Sequence, residues 1–339
     1  MRRFLLLMIV VVAALCGAGA WWLHQPLALS AALGPAADVE SVEVVVGPGM
    51  PARAVAQAIV DAGVKVNPTL LYAWFRLSGE ARKIRAGTYE FARSTTPRGL
   101  LQQLLQGEDS QLAITLVEGW TFNQVREALA KAEHLKPSTL GLEPMEIMNN
   151  LGRPGVHPEG RFFPDTYHYA KGSSDLVVLK RALRAMDERL DAAWQQRPAN
   201  SPLKNRDQAL ILASIVEKET GKGADRPLIG GVFNNRLRIG MMLQTDPTVI
   251  YGLVQKIGDQ YDGNLRKRDL QTDTPWNTYT RPGLPPTPIA MPGKAALQAA
   301  VSPASTKALY FVARGDGTSQ FSDTLADHNR AVNKYQRGK

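Results

Sequence analysis

Residues 210–247 read LILASIVEKETGKGADRPLIGGVFNNRLRIGMMLQTDP and set one carboxylate, Glu217, at the end of an apolar helix. Asn205 stands where an N-cap belongs, with Gln208 three residues on as in a capping box, and Gly221 follows the last periodic position. The spacing predicts a helix of about 15 residues. Leu210, Ala213, Ser214 and Glu217 share one face by i, i+3, i+4 spacing, and Ile211 and Ile215 point to a neighbouring apolar face. Glu217 therefore faces inward or into a cleft. Glu219 lies about 200° round the helix and is expected to be solvated.

Apolar neighbours disfavour the ionised form of Glu217, and the negative end of the helix dipole acts in the same direction. Both raise its proton affinity, as a general acid working near neutral pH requires. The same residues also fit a buried glutamate paired with Arg236 or Arg238, or a solvated helix end. Ion-pair networks perturb carboxylates too.

With 339 residues, 44% hydrophobic and 21% charged, the chain has the material for two or more domains with sizeable cores. Its net charge of +9 is scattered and accompanied by no nucleic-acid reader motif, so no nucleic-acid partner is expected. A basic protein facing anionic lipid or wall polymer fits the same charge. The single cysteine, Cys16, excludes an internal disulfide and a CxxC site. The five histidines are too dispersed to read as a metal cluster, so no metal is expected.

Phe4 to Leu23 is an uncharged, apolar run preceded by Arg2 and Arg3 and closed by Trp21 and Trp22. No further Lys or Arg occurs until Arg53, so the positive-inside rule places the N-terminus in the cytoplasm and the body across the membrane. Ala18-Gly19-Ala20 resembles a signal-peptide cleavage site. The unbroken passage through the alanines into the tryptophans favours a retained single-pass anchor in the inner (cytoplasmic) membrane.

The expected organisation is α+β: a cytoplasmic tip and transmembrane helix (1–23), a linker (24–40), a small module (41–110) and a mixed α+β domain with a helical core around Glu217 (111–339). In the small module Val42–Val46 and Gly87–Phe91 read as strands, and Ala52–Ala62 and Pro68–Leu77 as helices, an order of βααβ. In the larger part Thr121–Ala132, Leu176–Trp194 and Pro227–Arg238 read as helices. Asp246-Pro247 reads as a cap launching Thr248–Val254, which supplies Asp246 with a structural job. Leu309–Ala313 reads as a strand before a closing helix that ends at Tyr335.

Two loops carry polar chemistry. Residues 157–169, HPEGRFFPDTYHY, mix aromatic rings, which stack on sugar faces, with Glu159 and Asp165, which accept hydroxyl hydrogen bonds. Phe162, Phe163 and Tyr167 fit a hydrophobic plug equally well. Residues 274–293 contain six prolines and predict a preset wall presenting Asn277, Tyr279 and Thr280. Gln244 and Thr245 precede the Asp246 helix, with side chains projecting over its start.

The segments EGRFFPDTY (159–167), ASIVEKET (213–220), VFNNRLRIGMMLQTDPTVIYG (232–252), NTYTRPGLPPTPIAMPG (277–293) and the closing YFVARGDG with His328-Asn329 resemble the endolytic murein transglycosylases, the MltG or YceG-like family. The resemblance extends over nearly the whole chain, including the anchor and a small module that looks like the family's LysM-like peptidoglycan-binding unit. It implies a membrane-anchored lyase that cuts the β-1,4 bond between N-acetylmuramic acid and N-acetylglucosamine in nascent peptidoglycan, leaving 1,6-anhydro ends and limiting strand length. Glu217 occupies the matching catalytic position. One carboxylate suffices because the nucleophile, the muramic C6 hydroxyl, belongs to the substrate, and the resemblance implies no cofactor. Glu159, Asp165, Glu219, Gln244, Asn277, Tyr279 and Thr280 are candidate substrate contacts. The glycan strand is the expected partner, with peptidoglycan synthases beside it. A hydrolase pairing Glu217 with Asp165 or Glu159 would leave reducing ends instead, and a wall-binding scaffold would tolerate loss of Glu217.

Overall fold

Side-chain caps open most of the helices. Asn67, Thr96, Thr121, Ser174 and Thr324 each accept a backbone N–H of the following first turn, which satisfies a donor that the helix itself leaves unpaired. The structure, a computed structural model, describes residues 8, 17–29, 41–107, 112–169, 172–219 and 223–338. It divides into two compact units, one of residues 1–112 with 168–173 and one of 113–167 with 174–339. Most of the apolar run Phe4–Leu23 lies outside the described residues. Among those described, no helix is long and apolar enough to cross a membrane.

In the smaller unit β1 (Ala28–Leu29) pairs antiparallel with β3 (Val64–Lys65). β2 (Ser41–Val46) pairs antiparallel with β4 (Gly87–Ala92), Val44 opposite Tyr89. Alternation along β2 sends Val42, Val44 and Val46 inward against α1 (Ala52–Asp61), α2 (Pro68–Leu77) and α3 (Pro97–Gln106). The βααβ order of β2, α1, α2 and β4 is present, with the β1–β3 pair and α3 added. Leu27 is buried and Ala28–Leu29 form a strand, so part of the segment expected to be a linker belongs to this core. Helix α3 closes it with Leu100, Leu101 and Leu104.

The larger unit opens with β5 (Leu112–Thr115). Leu116 N–H donates to the Asp165 carbonyl at 2.9 Å, and the hydroxyls of Thr115 and Thr166 bond at 2.8 Å. α4 (Phe122–Lys131) begins in a full capping box between Thr121 and Gln124. α5 (Pro144–Asn150) and β6 (Thr166–Tyr169) follow, then α6 (Asp175–Trp194) and α7 (Arg206–Glu219), the helix of the opening stretch. Asn205 caps α7 by accepting Gln208 N–H at 2.9 Å, but the Gln208 side chain accepts from Lys204 N–H, so the box is only half closed.

Every residue of α7 from Ala209 to Glu217 is buried. The expected apolar faces are therefore parts of a helix covered all round, by α6, α8 (Arg226–Arg238), α9 (Asp246–Ile257) and α10 (Lys294–Val301). Burial of each Leu or Ile along it contributes about 1.5–3 kcal/mol. The pair β7 (Tyr310–Ala313) and β8 (Ser319–Ser322) packs Phe311 edge-on to Phe233 at 6.0 Å, and α11 (Leu325–Gln336) ends the unit. Phe162, Phe163 and Tyr167 are all core residues, with Phe162 stacked on Phe122 at 5.2 Å.

Candidate active site

Burial of α7 leaves Glu217 at 9% exposure, and an ionisable group in that position needs partners. Gly293 N–H donates to its Oε2 at 2.8 Å, and Arg226 Nη2 donates to its Oε1 at 3.1 Å. Arg226 comes from the first turn of α8, so the ion pair expected with Arg236 or Arg238 is made by neither. Arg236 instead donates to the Leu309 and Leu243 carbonyls.

The Gly293 amide is delivered by the proline-rich loop, which lies along α7 in register. One turn before Glu217, Ser214 Oγ accepts Ile289 N–H at 3.0 Å, while Ile289, Ala290 and Met291 are buried. Met291 also pairs with the 119–120 turn in both directions, donating to the Trp120 carbonyl at 2.7 Å and accepting Gly119 N–H at 2.8 Å. Three segments distant in sequence thereby meet at Glu217. Lys218 Nζ reaches the Gly119 carbonyl at 3.3 Å.

Burial is the largest influence on the Glu217 carboxyl and pushes its pKa up; the Gly293 amide and Arg226 pull it down, and the Glu118 charge pushes it up again. The balance is upward. A protonated carboxyl beside a fixed cation and a backbone amide can give a proton and then hold the resulting anion.

The other candidate residues separate into groups. Glu219 is half-buried rather than solvated: the Thr245 hydroxyl donates to it, and burial raises its pKa. It faces the start of α9, where Thr245 N–H donates to Thr278 Oγ1 at 3.1 Å and the Thr248 and Thr278 hydroxyls bond at 2.8 Å. Asp246 does not cap its helix; its carboxylate accepts the Tyr279 hydroxyl at 2.6 Å, and the N-cap position is Thr245. Gln244, exposed and at φ +46°, donates its N–H to the Thr278 carbonyl. Glu219, Gln244, Asp246 and Tyr279 thus gather on the face of α7 opposite Glu217.

Asn277 is fully buried, with its side-chain amide given to the Leu270 and Thr272 carbonyls and its oxygen to Tyr279 N–H. It shapes the loop from within rather than facing a ligand. Thr280 donates to Asp273, and Asp165 is exposed and accepts its neighbour's Thr166 N–H.

Glu159 is buried at 3% exposure, accepting Phe122 N–H and the Tyr251 hydroxyl, each at 3.0 Å. Burial raises its pKa from 4.5 to about 7 against those two hydrogen bonds. The folded protein therefore binds a proton there that the unfolded chain releases, so this group's contribution to stability is full below about pH 4.5 and is lost as pH rises towards 7. Glu159→Gln removes that dependence. Its urea midpoint should rise relative to wild type between pH 5 and pH 8; a constant difference across that range would contradict the assignment.

Glu118 and Arg226 were not singled out by sequence reasoning. The signals available along the chain are slight: Gly119 directly after Glu118, and Arg226 directly before the helix read from Pro227.

Residues 44–334 match the YceG-like family. The chain belongs to that family. An endolytic murein transglycosylase of Bacillus subtilis (strain 168) is 32% identical, over 75% of this chain and 74% of its own. One from Streptococcus pneumoniae serotype 2 is 27% identical, over 97% of this chain and 65% of its own. Among solved structures, that of the yceG-like protein lmo1499 from Listeria monocytogenes aligns over 86% of this chain and 98% of its own, with a TM-score of 0.54 and 25% identity. In this YceG-like protein, Glu217 with its amide and guanidinium donors is the site the geometry offers.

Proposed function

We propose that this protein is an endolytic murein transglycosylase acting through Glu217. The observation that carries the reading is a largely buried carboxyl, raised in proton affinity, held by Gly293 N–H and Arg226 in a YceG-like chain whose relatives bear that name. Glu217 gives its proton to the glycosidic oxygen as the bond from the muramic C1 breaks. The muramic C6 oxygen then bonds to C1, and its proton returns to Glu217, leaving a 1,6-anhydro end and a free glucosamine 4-hydroxyl. The carboxyl is regenerated without water or a second carboxylate. Arg226 and the Gly293 amide stabilise the carboxylate formed between the two transfers. Mass spectrometry of fragments released from purified peptidoglycan tests this. Internal fragments with anhydro ends are expected, whereas reducing ends would identify a hydrolase and no release a wall-binding scaffold.

The proposal extends to placement. Phe4–Leu23 serves as a single-pass inner-membrane anchor with Arg2 and Arg3 in the cytoplasm and the body outside, beside synthases making new strands, where endolytic cuts limit strand length. The smaller unit serves as a LysM-like wall-binding module. In its favour is an open groove of about 730 Å³ lined by Tyr72, Arg53, Arg76 and Arg82, a ring face among cations suited to a sugar carrying carboxylated stem peptides. Tyr72→Ala with Arg76→Ala should weaken co-sedimentation of the full chain with insoluble peptidoglycan about tenfold. Unchanged binding would remove the groove from the account.

A further inference from the structure

Gly293 has no backbone need to be glycine. Its φ of −81° and ψ of 175° suit any residue. What excludes a side chain is Glu118: a Cβ on residue 293 would stand 1.8 Å from Glu118 Oε1 and 2.3 Å from its Cδ. The Glu118 carboxylate thus lies on the Cα of the residue whose N–H holds Glu217. Through that one residue the two carboxylates are separated by no more than about 7 Å. Glu118 is exposed and has neither a hydrogen-bond nor an ion-pair partner among the described residues. The turn that carries it is fixed by the two-way pairing of residues 119–120 with Met291 and by Gly119 at φ +77°.

We propose that Glu118 is a positioning residue for the reaction at Glu217, seated on Gly293 so that its negative charge keeps the proton on Glu217 until the leaving oxygen takes it. The inference rests on the transglycosylase reading and adds the group that sets its acid. The charged groups facing Glu217 are Lys218 on its own helix, Arg226 from α8 and Glu118 from the 117–119 turn, with the Gly293 amide from the proline-rich loop. Both cations and the amide favour the carboxylate; burial, the largest influence, favours the acid, and among the charged groups Glu118 is the one that adds to it. Without it, the donors that hold Glu217 in place would also strip its proton at lower pH.

The test compares pH–rate profiles of Glu118→Gln, Glu118→Asp and Gly293→Ala in the full chain. In Glu118→Gln the alkaline limb should move down by about one pH unit, so that activity above the limb falls about tenfold while activity below it is retained. Glu118→Asp, which keeps the charge, should restore most of the limb. Gly293→Ala keeps the N–H to Glu217 but displaces the Glu118 carboxylate, the mobile end of a flexible side chain, and should reproduce the Glu118→Gln profile. The double variant should be no worse than either single one. Thermal midpoints should change little for the Glu118 variants, because that side chain is exposed. A ¹³C titration of the Glu217 carboxyl reads the same effect without turnover: its midpoint should fall in Glu118→Gln. If the wild type releases no anhydro ends, the transglycosylase reading fails while this titration still decides the role of Glu118. Identical Glu217 midpoints in wild type and Glu118→Gln, with superimposable profiles, would overturn the proposal.

Discussion

Replacement of Glu217 by glutamine should lower glycan cleavage about 10³- to 10⁴-fold. In the proposed mechanism one side chain supplies both proton transfers, and positioned acid–base groups contribute about 10²- to 10⁴-fold each time they are used. The amide has nearly the same volume, so packing at the end of α7 survives. Two effects on stability oppose each other. Glutamine relieves the burial of a charge, but its NH2 must point at one of the two donors, Gly293 N–H or Arg226, which the carboxylate accepts from both sides. The thermal midpoint should therefore move by only a few degrees, and binding to insoluble peptidoglycan should persist. Release of anhydro ends measured beside the midpoint checks the prediction. Cleavage within tenfold of wild type in a folded Glu217→Gln protein would place the acid elsewhere.

The largest effect on stability is expected at Gly230. Helices α8 and α10 cross so closely that a Cβ on residue 230 would lie 2.1 Å from the Ala299 carbonyl oxygen and 2.8 Å from its carbonyl carbon. Both atoms are helix backbone, which cannot swing aside as a side chain can. The neighbouring contact is already used: Asn234, one turn on, donates to the Gly230 and Ala300 carbonyls at 2.8 and 3.0 Å. Separating the helices to admit a methyl group would break the Ala300 bond and open the packing around Ile229 and Ala300. Gly230→Ala should cost about 3 kcal/mol, at the upper end of overpacking penalties, and lower the midpoint by roughly 6–12 °C. Gly240→Ala, where a Cβ meets open space, serves as a comparison limited to the strain of a positive φ. Equal midpoints for Gly230→Ala and wild type would mean that the two helices can part freely.

Local chemistry explains which elements were legible in the chain. Asn205 announced its helix because its side-chain oxygen satisfies an orphaned N–H three residues on. The alternation of Val42, Val44 and Val46 announced β2 because successive side chains leave a strand on opposite sides. Glu217 was legible for the same kind of reason, as a carboxylate continuing an apolar face at helical spacing. Asp246 shows the limit of such signals: a good capping residue at a helix start is drawn instead to Tyr279, 33 positions away.

The sequence by itself determined the helices α6 to α9, the acid at the end of α7 and, through long motifs, the family, while α10 beside Gly293 carried no signal of its own. All of these depend on residues within a few turns of one another or on the order of segments along the chain. Only the tertiary structure decided that Glu219 is half-buried against Thr245, that Arg226 rather than Arg236 meets Glu217, that Ala28–Leu29 join the smaller core, and that Glu118 rests on Gly293. Each of these joins groups on separate elements, and their approach is set by how closely two backbones can pack. That closeness rests on atoms that are missing, the Cβ of Gly293 against Glu118 and the Cβ of Gly230 against Ala299, and no periodicity along the chain encodes what an absent side chain allows to come near.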